Sequence, residues 1–189
     1  MDNEEILLVR RAQQGDQIAF EKLMICHDRN ILRLVQLLLS NSQDAQDVYQ
    51  ETFLKAFTHI HTFRFESEFK TWLTRISINL CMNRRRQRRL RQWFSLDAEQ
   101  SDQDPTANAW ISKDVQPDEQ LQQQEIWQHL NKSLDSLSIQ QRTAFTLKHV
   151  YGYSIKEIAG VLQCAEGTVK NHLFRAVQKL KKNLQPFYP

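Results

Sequence analysis

Glycine and proline are scarce, with four of each in 189 residues. So few turn-formers argue against collagen-like and many-turned β architectures and leave helices as the natural reading. Cysteine is scarce as well. Cys26, Cys81 and Cys164 lie far apart, with no CxxC and no ordered histidine partners. That is neither a disulfide framework nor a zinc pattern, and it fits small buried hydrophobes in a reducing compartment. Long apolar runs are missing: stretches such as residues 6–9 and 37–39 are far too short to span a bilayer, so no membrane insertion is expected. The first residues are acidic (Asp2, Glu4, Glu5), unlike a signal peptide, and a cytoplasmic location is expected. No Walker loop, HExxH, GxSxG or clustered carboxylate–metal pattern occurs. No catalytic residue, metal site or cofactor is therefore expected, and the chain reads as a non-enzyme.

What is present is a globular composition, 41% hydrophobic and 25% charged, with a net charge of only +3. Residues 4 to about 95 read as successive amphipathic helices. Ile6, Leu7 and Val9, then Ala19, Phe20 and Leu23, mark a helical pair broken at Gly15-Asp16. Ile31, Leu34, Val35 and Leu38 mark a next helix. Ala45, Val48, Phe53, Leu54 and Phe57 form the buried side of another, with Ser42 as its N-cap. Phe69, Trp72, Leu73, Ile76 and Leu80 then recur as one apolar stripe, while Arg75, Asn79 and Asn83 recur every four residues on a polar face.

The composition changes at Ser95. Residues 97–119 hold seven acidic side chains against one basic, Lys113, with Pro105 and Pro117 as punctuation. Trp110 is the single aromatic residue there and an anchor point for docking. The expected architecture is all-α: an N-terminal helical domain over 1–95, an acidic flexible linker over 96–119, and a C-terminal domain over 120–189. Helical patterning resumes with Leu121, Ile126, Leu130, Leu134 and Leu137, then Ala144, Phe145, Leu147 and Val150.

The C-terminal segment carries the sharpest local signal. Ser154 and Glu157 form a capping box, and Ile155, Ile158, Ala159 and Leu162 give the helix that follows one buried face. After a break at residues 163–166, Val169, Leu173, Ala176 and Leu180 give the next helix its own. Two short helices with small Ala159 at their crossing make a helix-turn-helix. The second helix turns Lys170, Asn171, His172, Arg175 and Gln178 outward, side chains able to read base edges or hold phosphates in a major groove. A helical hairpin with a solvated basic face has the same pattern, so this motif alone does not decide.

Charge and aromatics are concentrated once more in the first domain. The positions from Arg84 to Arg91 contain six arginines. A solvated helix end is the ordinary explanation of such a run. Here, however, it follows Phe63, Phe65, Phe69 and Trp72, and aromatic platforms beside a cationic groove are what single-stranded nucleic acid binding requires. Helical spacing assigns Phe69 and Trp72 mainly to the core, whereas Phe63 and Phe65 fall in an expected loop, FRFES, and are expected to be exposed. Upstream, Asp44, Asp47 and Glu51, with Gln50 beside them, form an acidic stripe, for which a helix-dipole or solubility role is the ordinary explanation and a protein partner with a basic surface the alternative.

In order and spacing, RAQQGDQIAFEKL, DAQDVYQETFLKAF, FKTWLTRISINL with its arginines, and LSIQQRTAFTLKHVYGYSIKEIAGVLQCAEGTVKNHLFRA resemble the extracytoplasmic-function class of sigma-70-type RNA polymerase sigma factors. The resemblance covers nearly the whole chain apart from the linker. It implies a sigma factor that directs promoter-specific initiation together with bacterial core RNA polymerase. Asp44, Asp47, Gln50 and Glu51 would dock on the β′ clamp helices. Phe63, Phe65, Arg75, Asn79, Asn83, Arg84, Arg85 and Arg86 would serve the promoter −10 element, the 63–68 loop holding an extruded base. Thr168, Lys170, Asn171, His172 and Arg175 would read the −35 element. An anti-sigma protein is implied as a regulatory partner. Three positions depart from the family pattern: Phe65 stands where a glycine is common, Ala165 where proline is common, and Lys170-Asn171 where arginine and serine are common. A polymerase-independent helix-turn-helix regulator is the competing reading. It leaves the acidic stripe and the aromatic loop without a task.

Overall fold

The computed structural model describes residues 3–94 and 133–184. The acidic segment with Trp110 and the apolar positions Leu121, Ile126 and Leu130 lie outside the described residues. Among the described residues every regular element is helical. They fall into two compact units, the first from residues 3–39 and 43–94, the second from the remainder.

In the first unit α1 spans Asn3–Gln13 and α2 spans Gln17–Leu38. Gly15 turns the chain between them with φ +92°, a left-handed conformation that suits a residue without Cβ. Asp16 caps α2, its carboxylate accepting from the Ala19 amide at 3.0 Å and from Arg11 Nε at 2.8 Å. These two bonds, the amide first, hold its carboxyl below the usual carboxylate range.

The expectation of separate helices at Ala19–Leu23 and Ile31–Leu38 is corrected: α2 is one helix of 22 residues. His27 is the cause. It is buried midway between Leu23 and Ile31 and continues their stripe at four-residue spacing. Its Nε2 lies 2.7 Å from Glu5 Oε1 of α1, and its ring packs 5.5 Å from that of Phe69. A buried polar ring is tolerated because it has a partner.

Helix α3 spans Ser42–His59. It buries Ala45, Val48, Thr52, Phe53 and Ala56. Leu54 and Phe57, expected on that side, are exposed at 66% and 45%. The buried stripe runs 45, 48, 52, 56, and Leu54 stands some 200° around the helix from Thr52 at 100° per residue. A 3₁₀ turn, Ile60–Thr62, leads to the loop before α4, Phe69–Phe94. Phe69, Leu73, Ile78, Leu80 and Cys81 are buried, and Trp72 and Ile76 are half-buried. Helix α4 packs on α2, which in turn packs on α1. The arginine run continues α4 without a break.

In the second unit α5 is Ile139–His149, α6 is Ile155–Leu162 and α7 is Glu166–Leu184. Both α5 and α6 open with a capping box, Ser138 with Gln141 and Ser154 with Glu157, each satisfying two amides that a helix start leaves orphaned. The Ser154 bonds also hold the Glu157 carboxyl below its ordinary range. Leu134, Leu137, Ala176 and Leu180 form a buried cluster with Phe145 packed against it. Val150 is 46% exposed, since α5 ends at His149 and Val150 is its C-cap.

Candidate nucleic-acid interface

The first surface lies on α4. Arg75, Asn79 and Asn83 are all exposed, one above another at four-residue intervals, as are Arg86, Arg89 and Arg91 further along. Arg84 and Arg85 are half-buried. Arg84 Nη1 stands 3.5 Å from Asp44 Oδ1 and 3.5 Å from Asp47 Oδ2, and Arg88 Nη1 stands 3.6 Å from Asp44 Oδ2. The acidic stripe of α3 and the start of the arginine run, separate surfaces in the sequence reading, thus share an edge. Within α3, Lys55 Nζ is 3.1 Å from Glu51 Oε1 and Gln43 donates to Asp47 at 3.2 Å, while Gln50 is exposed. Exposed Leu54 adds an apolar side chain among these polar neighbours.

The loop before α4 departs from expectation at Phe63. Only 5% exposed, it sits at the centre of an aromatic cluster, its ring centroid 5.0 Å from Phe65, 5.7 Å from Phe69 and 5.5 Å from Trp72. Loop position misled here: the Phe63 amide donates to Ile60 O at 3.1 Å, which closes the 3₁₀ turn and points the ring inward. Phe65 is half-buried and has φ +59°. The Arg10 guanidinium carbon lies 5.8 Å from its ring centroid. Arg64, Glu66, Ser67 and Glu68 are exposed around it. The Glu68 carbonyl accepts the Thr71 and Trp72 amides at 3.0 and 3.1 Å, so the loop ends where α4 begins.

The second surface lies on α7. Gln163, in the left-handed conformation at φ +53°, turns the chain out of α6, and the Cys164 amide reaches back to Ala159 O at 3.1 Å. The Ala165 carbonyl accepts the Thr168 amide at 2.9 Å and the Val169 amide at 3.2 Å, starting α7. Val169, Ala176 and Leu180 are buried, which sends Thr168, Lys170, Asn171 and Arg175 outward. His172 is half-buried. Burial first, and Arg175 second, lower its pKa below the ordinary histidine value. Phe174, 65% exposed, stands on the same face between Asn171 and Gln178. Sequence reasoning passed over it, although it falls well off the Val169/Ala176/Leu180 stripe and period alone would have placed it outside. Lys179 donates to the Ser136 carbonyl and Asn183 to Ser136 Oγ at 3.0 Å, so this end of α7 is tied to the chain before α5.

These two arrangements can do different things. A helix with an outward polar face fits a major groove. A half-buried aromatic beside exposed amides and guanidinium groups fits unpaired bases and their phosphates. Comparison with known proteins supplies the rest. Residues 23–91 match the family model for sigma-70 region 2, and residues 128–180 match that for sigma-70, region 4. The chain is 37% identical over 180 residues to the RNA polymerase sigma-H factor of Pseudomonas aeruginosa, covering 95% of this chain and 93% of that one. To the ECF RNA polymerase sigma-E factor of Escherichia coli K12 it is 33% identical over 181 residues, covering 95% and 94%. Among solved structures, the sigma factor RpoE of Bartonella quintana, in complex with the anti-sigma factor NepR, superposes with a TM-score of 0.66 at 25% identity, over 88% of this chain and 96% of that one. CnrH, in complex with the cytosolic domain of CnrY, shares the fold at a TM-score of 0.67 and 23% identity, over 97% and 99%.

Proposed function

The chain belongs to the sigma-70 family of RNA polymerase sigma factors, and from that premise we propose how its two units divide the work of promoter-specific initiation. The first unit docks on core polymerase through Asp44, Asp47, Gln50 and Glu51 against the β′ clamp helices, and presents α4 to the −10 element. Asn79, with Arg75 and Asn83, contacts that element. Phe65 stacks on an extruded base, and the exposed arginines beginning with Arg86 hold the backbone. Phe63, being buried, serves as the floor on which Phe65 rests. Arg84 is half-turned toward the acidic stripe and steadies the boundary between the two surfaces.

The second unit reads −35 duplex with Thr168, Lys170, Asn171 and Arg175, with His172 presented as a neutral imidazole. The acidic segment 96–119 joins the two units within the polymerase. The bond-making chemistry is the polymerase's, and among the described residues no group of side chains could hold a metal ion. It works in the cytoplasm, where a protein of the kind solved with the Bartonella relative, an anti-sigma factor, restrains it. No helix among the described residues is long and apolar enough to cross a membrane.

One observation carries this reading. A single chain holds both an outward-facing reading helix and, in a separate unit, an arginine-rich helix entered through an aromatic loop. A regulator of duplex DNA alone needs only the first. Run-off transcription with purified bacterial core polymerase on a library of random upstream sequences tests it. Discrete starts that depend on the added chain are expected, and their enriched upstream sequences give both elements. Binding to the same duplexes without polymerase, and no starts, would replace this reading with that of a polymerase-independent regulator.

A further inference from the structure

Phe65 is a phenylalanine in a conformation that costs a side-chain-bearing residue energy and costs glycine none. Such a residue persists only where its surroundings over-determine it. Part of that surrounding comes from its own loop, the Phe63 ring at 5.0 Å. The rest comes from α1, some fifty residues earlier in the chain. Gln13, half-buried at the last turn of α1, spends both amide hydrogens on this one loop: Nε2 donates to Ile60 O at 3.0 Å and to Phe63 O at 2.8 Å. Those two carbonyls bracket the 3₁₀ turn from which the loop springs. One helical turn earlier, Arg10 places its guanidinium over the face of Phe65 itself. Helix α1 therefore grips the loop at its base through Gln13 and at its strained tip through Arg10.

We propose that α1, through Gln13 and Arg10, is the positioning element of the base-capturing loop, holding Phe65 in its left-handed bend so that the loop is formed before DNA arrives. Neither residue touches the base. Their contribution is pre-organisation: a loop already in its binding conformation loses no ordering free energy when the base is extruded into it. The inference rests on the assignment of residues 63–68 to the −10 site, and it adds a role for a helix that this assignment leaves without one.

The test compares four proteins, wild type, Gln13→Ala, Phe65→Gly and the double variant, each assembled with core polymerase on a promoter recovered from the run-off selection. Strand opening is read by permanganate reactivity of unpaired thymines, polymerase affinity by titration, and loop order in the free proteins by hydrogen exchange at amides 64–68. Loss of two hydrogen bonds should lower opening by roughly five- to tenfold in Gln13→Ala, with polymerase affinity unchanged and exchange faster at 64–68. Phe65→Gly removes a stacking ring and lowers opening by itself, so the ratio within each background is the quantity compared. Because glycine adopts the bend unaided, adding Gln13→Ala to Phe65→Gly should cost no more than about twofold.

Equal loss in both backgrounds would show that Gln13 only supports the fold, and unchanged opening in Gln13→Ala would remove the bracing role. Either result overturns the inference while wild-type starts leave the promoter assignment standing. Absence of any wild-type starts would instead sink the assignment and the inference with it. Arg10→Gln, exposed and free of the folding risk that attends a half-buried site, should reproduce the effect on opening in weaker form. No effect there would confine the brace to Gln13 and overturn the part assigned to Arg10.

Discussion

The hydroxyl of Thr143 is buried in α5 and has no hydrogen-bond partner among the described residues. A buried donor left without a partner bears its full desolvation penalty, and valine has the same shape without the hydroxyl. Thr143→Val should therefore stabilise the second unit by about 1 kcal/mol, seen as a rise in denaturant midpoint at constant slope. An unchanged or lowered midpoint would mean the hydroxyl is satisfied after all. His172 offers a residue-scale test of a different kind. Its pKa lies below 6.5, from burial first and from Arg175 second. A histidine shifted down favours the neutral ring in the folded state, so its share of stability is present above pH 6.5 and is lost as pH falls through the lower, folded midpoint. Its NMR titration should show a midpoint below 6.5, and Arg175→Ala should raise that midpoint only part of the way, since burial is the larger cause. A midpoint at or above 6.5 would contradict this environment.

At the scale of elements, α1 packs on α2 with Val9 and Ala12 buried, and a polar tie is added by His27. It bonds Glu5 of α1, packs its ring at a tilt against Phe69 of α4 and fills the stripe of α2. His27→Ala should destabilise that unit by about 2–4 kcal/mol, from lost packing together with a carboxylate left half-buried; a cost under about 1 kcal/mol would show that α1 is held by other means. The same residue explains a limit of sequence reading. Helix periods were legible wherever the stripe was apolar, as along Val169, Ala176 and Leu180, and the Ser154–Glu157 capping box was legible because serine and glutamate at that spacing have a local cause, whereas Ser138–Gln141 was passed over. A buried histidine looks polar, so α2 read as two helices. Leu54, Phe57 and Phe174 erred the other way: apolar type suggested burial, or drew no notice, while the angular position of each on its helix sent it to the surface. Phe63 shows the third kind of failure, in which a residue of loop type is taken inward by one backbone hydrogen bond that no spacing announces. The contacts of Gln13 and of Arg84 were invisible for a plainer reason, since both join segments far apart in the sequence.

For the molecule as a whole, a net charge of +3 conceals strong local fields, and function follows the local ones. Arg86, Arg89 and Arg91 are exposed, whereas Arg84 and Arg88 face carboxylates. Promoter complexes with polymerase should weaken as salt rises, and replacing those three exposed arginines by glutamine should make the log–log slope shallower by roughly 2 to 3. An unchanged slope would mean that they face solvent in the complex. The shared edge between the acidic stripe and the arginine run has a further consequence, best put in the language of genetics. Each ion pair there is long and partly exposed, so losing one should barely affect stability. Yet Asp44 touches both Arg84 and Arg88, so substitutions at these three sites share a partner and their effects cannot be independent. A screen scored only on promoter output would find them epistatic and sort them into one class, although in the proposed division of labour one side of the edge faces a protein and the other faces DNA. Suppressors of an Asp44 charge reversal should then arise among the arginines, and they would report a neighbour within the chain, not a partner outside it.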